Sequence, residues 1–130
     1  MSARILIVDD EDIVVRSCLR ILAGSDYAVD VARGGAEALE KINETAYDVL
    51  LVDIMMPLIN GLEVLEHVKQ TRPDSEVIIL TGLSQSKTAL RARELGAFAY
   101  LPKPFEPEEI RGLIAQALAR RRAAGERPAP

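Results

Sequence analysis

The chain has a single cysteine among its 130 residues. Cys18 can therefore form no internal disulfide, and no second thiol supports a thiolate metal site. It lies among Val14, Val15, Leu19 and Leu22, the setting of a small buried apolar side chain. Long apolar runs are also missing: none approaches the roughly 20 residues that span a bilayer. No basic leader followed by an apolar stretch opens the sequence. A cytoplasmic chain without a membrane partner is the expectation. Net positive charge is absent as well, since the formal net charge is -4. That argues against direct nucleic acid binding by the folded part. Arg120, Arg121 and Arg122 do cluster, but they close an expected helix, where solvated cations suit the negative end of the dipole.

At 48% hydrophobic and 28% charged residues, the composition is that of an ordinary globular domain. Ile5–Val8, Val49–Val52 and Val77–Leu80 are unbroken apolar runs, as in strands buried on both faces. Ala28–Ala32 alternates, and Ala99–Leu101 is short; both suit sheet edges. Between them run amphipathic stretches. Val15, Cys18, Leu19 and Leu22 would share one helical face, as would Ala36, Leu39 and Ile42, and then Leu62, Leu65 and Val68. Ile110, Leu113, Ile114, Ala117 and Leu118 form the clearest stripe. The stretch 86–95 has mostly alanines and two leucines to bury and is the weakest helix. No internal repeat is present.

Five strands alternating with five helices predict a doubly wound parallel sheet. Three buried strands between two edge-like ones favour the order 2-1-3-4-5, although other doubly wound orders alternate too. Residues 1–119 are expected to form the domain and 120–130 a flexible tail.

The polar residues then converge. Asp9 and Asp10 follow the first strand, Asp53 the third, Thr81 ends the fourth, and Lys103 comes just after the fifth. In a parallel sheet these positions share the carboxyl edge, where open α/β sheets bind ligands. Each residue alone has a plainer reading as a cap, a turn residue or a surface lysine. Together they form a reactive set. Three nearby carboxylates repel one another and raise the proton affinity of at least one. A hard divalent cation such as Mg²⁺ relieves that repulsion. One carboxylate could then attack phosphorus to give an acyl phosphate, with Lys103 and Thr81 on the phosphoryl oxygens.

These segments resemble the receiver domains of two-component response regulators over about residues 4–118. Ile5-Leu6-Ile7-Val8-Asp9-Asp10-Glu11 is similar to the family's first strand and acidic pair. Leu51-Val52-Asp53-Ile54-Met55-Met56-Pro57, followed by Asn60-Gly61, resembles the phosphoacceptor segment. Leu80-Thr81-Gly82 resembles the switch hydroxyl, and Tyr100-Leu101-Pro102-Lys103-Pro104-Phe105 the aromatic and lysine segment.

The resemblance implies a flavodoxin-like (βα)5 fold and a phosphorylation-activated signalling switch, not an enzyme. Asp53 would be the phosphoacceptor, assisted by Thr81 and Lys103. Asp10, Asp53 and the Met55 backbone carbonyl would ligate Mg²⁺, with Asp9 acting partly through water. Thr81 and Tyr100 would form the switch, and the Lys103–Pro104 peptide would be cis. The donor would be a sensor histidine kinase or phosphotransfer protein. Output would pass through the surface of the fourth helix, fifth strand and fifth helix to a downstream effector, or to a second copy in a phosphorylation-dependent dimer. Met55 and Leu83 would flank the path of hydrolytic water. The lone His67 is read as an exposed helix residue, because a phosphodonor histidine needs a helical bundle.

Three other readings compete. A phosphatase of the haloacid dehalogenase type would need a second Asp where Met55 stands. A flavin carrier would need a phosphate loop where Asp9, Asp10 and Glu11 stand. A receiver that binds partners without phosphorylation would not need the complete acidic, hydroxyl and lysine set.

Overall fold

The computed structural model describes residues 2–82 and 86–125, with the side chains of 86 and 122–125 left aside. The strands are β1 (Arg4–Val8), β2 (Ala28–Ala32), β3 (Val49–Asp53), β4 (Glu76–Thr81) and β5 (Ala99–Pro102). The helices are α1 (Asp12–Leu22), α2 (Gly35–Glu44), α3 (Gly61–Thr71), α4 (Ser86–Glu94) and α5 (Pro107–Gly125). The sheet is parallel with order β2-β1-β3-β4-β5.

The unbroken apolar runs have a simple cause. Side chains alternate along a strand, so a run feeds both faces of the sheet. Leu6, Val8, Leu50, Val52, Val77 and Ile79 join one core with Ala38, Ile42, Val64, Leu65 and Val68 of α2 and α3. Ile5, Ile7, Val49, Leu51, Ile78 and Leu80 join the other, with residues of α1 and α5. Cys18 is buried there as expected, and burial pushes its thiol up to about 12, which leaves it unreactive.

The helical faces needed correction. In α1 the buried stripe is Val14, Val15, Cys18 and Leu22, and Leu19 lies at its margin, 39% exposed. In α2 the inward residue is Gly35, not Ala36. A Cβ at Gly35 would sit 2.5 Å from the Ile59 Cβ, so the helix starts in direct contact with the β3–α3 loop. Apolar counting cannot find a face that depends on a glycine. In α3, Val64 is buried and Leu62 only half-buried. His67 is half-exposed, 2.8 Å from the Asn43 Oδ1.

The expectation for the carboxyl terminus also changes. Helix α5 runs on through 120–125 instead of stopping at 119, and Arg120 and Arg121 reach acidic residues of the sheet's amino edge. Arg120 Nε lies 2.8 Å from the buried Glu76 Oε2, with its guanidinium 5.5 Å from the centre of the Phe98 ring. Arg121 Nε pairs with Asp48 Oδ1 at 3.0 Å. Alanine and arginine favour helix, and these ion pairs tie the added turn to the amino edge of the sheet. Residues 126–130 lie outside the described residues, as does Leu83, expected to flank the path of hydrolytic water.

Candidate functional site

Parallel pairing with matched register brings the strand ends together. β1 and β3 are neighbours, Asp53 is opposite Leu80, and Thr81 is opposite Pro102. Asp9 and Asp10 therefore leave the sheet beside Asp53, the last residue of β3, and Thr81 ends the next strand. The Lys103 N–H donates to the Thr81 carbonyl at 2.7 Å, extending the ladder one residue past β5. The Lys103–Pro104 peptide is cis.

Lys103 Nζ then reaches across the rim. It lies 3.2 Å from Asp9 Oδ2, 3.2 Å from Asp53 Oδ1 and 3.3 Å from Glu11 Oε1. Asp9, Asp53 and Thr81 are buried, with Asp53 only 1% exposed, while Asp10 faces solvent. The Glu11 N–H donates to Asp9 Oδ1 at 2.9 Å, which orients Asp9 against the start of α1. Behind Asp53, a Cβ at Gly61 would overlap the Asp53 carbonyl oxygen. Only glycine lets α3 begin so close to the end of β3. The Asn60 side chain accepts from the Glu63 N–H at 3.0 Å, and the Glu63 side chain returns to the Asn60 N–H in a capping box.

Three carboxylates, from Asp9, Glu11 and Asp53, thus meet one ammonium group. Burial pushes Asp53 up to about 6, and the Asp9 charge adds to this, with Lys103 opposing both. Burial likewise raises Asp9. Burial alone would lower Lys103, but attraction to Asp9 and Asp53 outweighs it, so the ammonium is held protonated.

Asp9, Asp10 and Asp53 each offer a carboxylate oxygen, and these oxygens lie within 4.8 Å of one another. Asp53 Oδ2 is buried and receives no hydrogen bond among the described residues. A buried carboxylate oxygen without a donor is costly unless a cation meets it. The donor set is all oxygen and anionic, so the cluster fits a hard divalent cation.

Asp9, Asp10, Asp53 and Lys103 are thus brought together as the sequence indicated, with Thr81 buried at the adjoining strand end. Tyr100 is further away in role, half-buried on β5 and packed against the α2–α3 side of the core. The Met55 side chain is 60% exposed in the β3–α3 loop. Glu11, which reaches Lys103, is a rim residue that the sequence reading gave no role. Its position two residues after Asp9, at the same rim, was the available signal.

The family model for the response regulator receiver domain matches residues 5–115. The chain belongs to that family. The receiver domain is 41% identical over 110 residues to the response regulator MprA of Mycobacterium ulcerans, covering 85% of this chain and 47% of that protein. To MprA of Mycobacterium tuberculosis it is 39% identical over 130 residues, covering 100% of this chain and 54% of the relative. The chain thus spans about half the length of these curated relatives. A CheY-like receiver domain from Methanospirillum hungatei superposes with a TM-score of 0.91 at 31% identity, covering 95% of this chain and 99% of the other. A BeF3-activated DrrB receiver domain gives 0.85 at 32% identity, covering 92% and 99%. The receiver domain is accordingly a two-component phosphorelay signalling domain, a phosphoacceptor rather than an enzyme. Among the described residues, no helix is long and apolar enough to cross a membrane.

Proposed function

We propose that the receiver domain accepts a phosphoryl group on Asp53, with Mg²⁺ held by Asp10, Asp53 and the Met55 backbone carbonyl and with Asp9 partly through water. The observation that carries this reading is Asp53 itself: buried, paired to Lys103 through Oδ1, and left with an unpartnered Oδ2. With its proton affinity raised only to about 6, Asp53 is mostly ionised at neutral pH and can act as nucleophile. A carboxylate oxygen attacks phosphorus as the bond to the donor's histidine nitrogen breaks, and the imidazole leaves with a proton from solvent. When bound, Mg²⁺ would neutralise carboxylate and phosphoryl charge. Lys103 supplies a compact cation to one phosphoryl oxygen, and the Thr81 hydroxyl donates to another.

The donor would be a sensor histidine kinase or phosphotransfer protein of the cytoplasm. Output would run from Thr81 to Tyr100 and so to the surface of α4, β5 and α5. That surface would meet an effector, or a second copy on phosphorylation. Incubation with acetyl phosphate and Mg²⁺, followed by intact mass, tests the reading. Wild type gains one phosphoryl group, and EDTA prevents it. Asp53→Asn gains none while keeping its fold by circular dichroism. Phosphorylation of that variant at the wild-type rate would overturn the assignment.

A further inference from the structure

Glu11 stands just before α1, where a side chain ordinarily caps the helix, yet its carboxylate makes no capping hydrogen bond. At the corresponding place before α3, Asn60 does cap. The Glu11 side chain turns across the rim instead, with Oε1 3.3 Å from Lys103 Nζ. A lysine ammonium has three N–H donors. Asp9 Oδ2 and Asp53 Oδ1, each at 3.2 Å, take two of them, and Glu11 takes the third. All three are therefore committed.

The three partners are not equivalent. The Asp9 and Asp53 side chains are 1% and 2% exposed, so either one deprived of the ammonium would be a buried, uncompensated charge. Their charges are also what holds the ammonium protonated. The Glu11 side chain is 62% exposed, and water can replace Lys103 there at little cost. A phosphoryl oxygen that needs a donor from Lys103 thus meets one partner that yields readily. We propose that Glu11 is a positioning residue, which keeps Lys103 Nζ at the rim in the resting state and gives up its place to a phosphoryl oxygen. This rests on Asp53 as acceptor. Because the Glu11 carboxylate competes with the phosphoryl group for the same N–H, its removal favours the phosphorylated state.

Two substitutions separate contact from charge. Glu11→Gln removes the charge. Glu11→Asp keeps it on a side chain one methylene shorter, which suits the helix cap and withdraws from Lys103. Both are compared with wild type at saturating Mg²⁺, so that a change in metal affinity does not enter. NMR titration follows binding of the phosphoryl mimic BeF3, and intact mass follows phosphorylation by acetyl phosphate. Both variants should bind BeF3 about three- to five-fold more tightly and react with acetyl phosphate faster by a similar factor. Loss of a residue that only supported the fold would not tighten binding. Affinity within about two-fold of wild type in both variants would overturn the inference. Weaker binding in either would make Glu11 a support for Lys103 rather than its competitor, and would overturn it too. Tighter binding in Glu11→Gln alone would place the effect in the charge of the rim, not in the contact, and the inference would again fall. If wild type neither binds BeF3 nor gains a phosphoryl group, it is the reading of Asp53 as acceptor that fails.

Discussion

Asp53 carries its charge where burial and a neighbouring carboxylate oppose it, and this has a measurable consequence without any phosphoryl donor. Its proton affinity in the fold, near 6, exceeds the ordinary 3.8. The folded state therefore binds a proton that the unfolded state has already released. Stability from this source is present in full below about pH 4 and is lost as pH rises through 6. The size is roughly 2–3 kcal/mol for a group this buried. In EDTA, Asp53→Asn should be more stable than wild type by about that amount at pH 8 and nearly equal to it at pH 4. Urea unfolding at the two pH values checks this. Equal stabilities at pH 8 would show that Lys103 already compensates the Asp53 charge. At this scale the sequence was most informative. Asp9, Asp10, Asp53, Thr81 and Lys103 were all legible because strand ends in a parallel sheet share an edge. The left-handed backbone at Leu58, with a φ of +69°, was not, since nothing in its residue type announces it.

Among the elements, α4 is the least anchored. Ala92 is its one fully buried residue among those described, whereas α3 buries Gly61, Val64, Leu65 and Val68. The weakness was readable from a segment of alanines and charges between 86 and 95. An element with few buried contacts is the one that opens or shifts most easily. In the sheet order β4, which ends in Thr81, lies next to β3 and Asp53, and β5, which carries Tyr100, lies on its other side; α4 connects the two strands. A bound phosphoryl group can shift α4 only by stabilising its active arrangement more than its resting one. Removing the Thr81 hydroxyl should therefore uncouple α4 more than it blocks phosphorylation. NMR of wild type and Thr81→Ala, with BeF3 and Mg²⁺, should show shift changes at Tyr100 and residues 87–94 in wild type and their loss in the variant. Equal changes in both would contradict this route. What the sequence did not reveal was the reach of α5. Arg120 and Arg121, read as part of a solvated helix end, pair with Glu76 and Asp48, which are distant along the chain and therefore invisible to local pattern.

On the scale of the whole molecule, the two cores and the active rim follow from a single topological fact: β1 and β3 are adjacent. The alternation of apolar runs and amphipathic stretches made the sheet order a reasonable expectation but did not exclude other doubly wound orders. The acidic residues decided where to look. The chain spans about half the length of its curated relatives. The chemistry proposed at Asp53 is tested directly on it. An acyl phosphate, unlike a phosphoester, is reduced by borohydride, which converts the modified aspartate to homoserine. After treatment with acetyl phosphate and Mg²⁺, reduction and peptide mass mapping should place homoserine at position 53 and nowhere else. Homoserine at Asp9, at Asp10 or at another carboxylate, with Asp53 unchanged, would contradict the central claim.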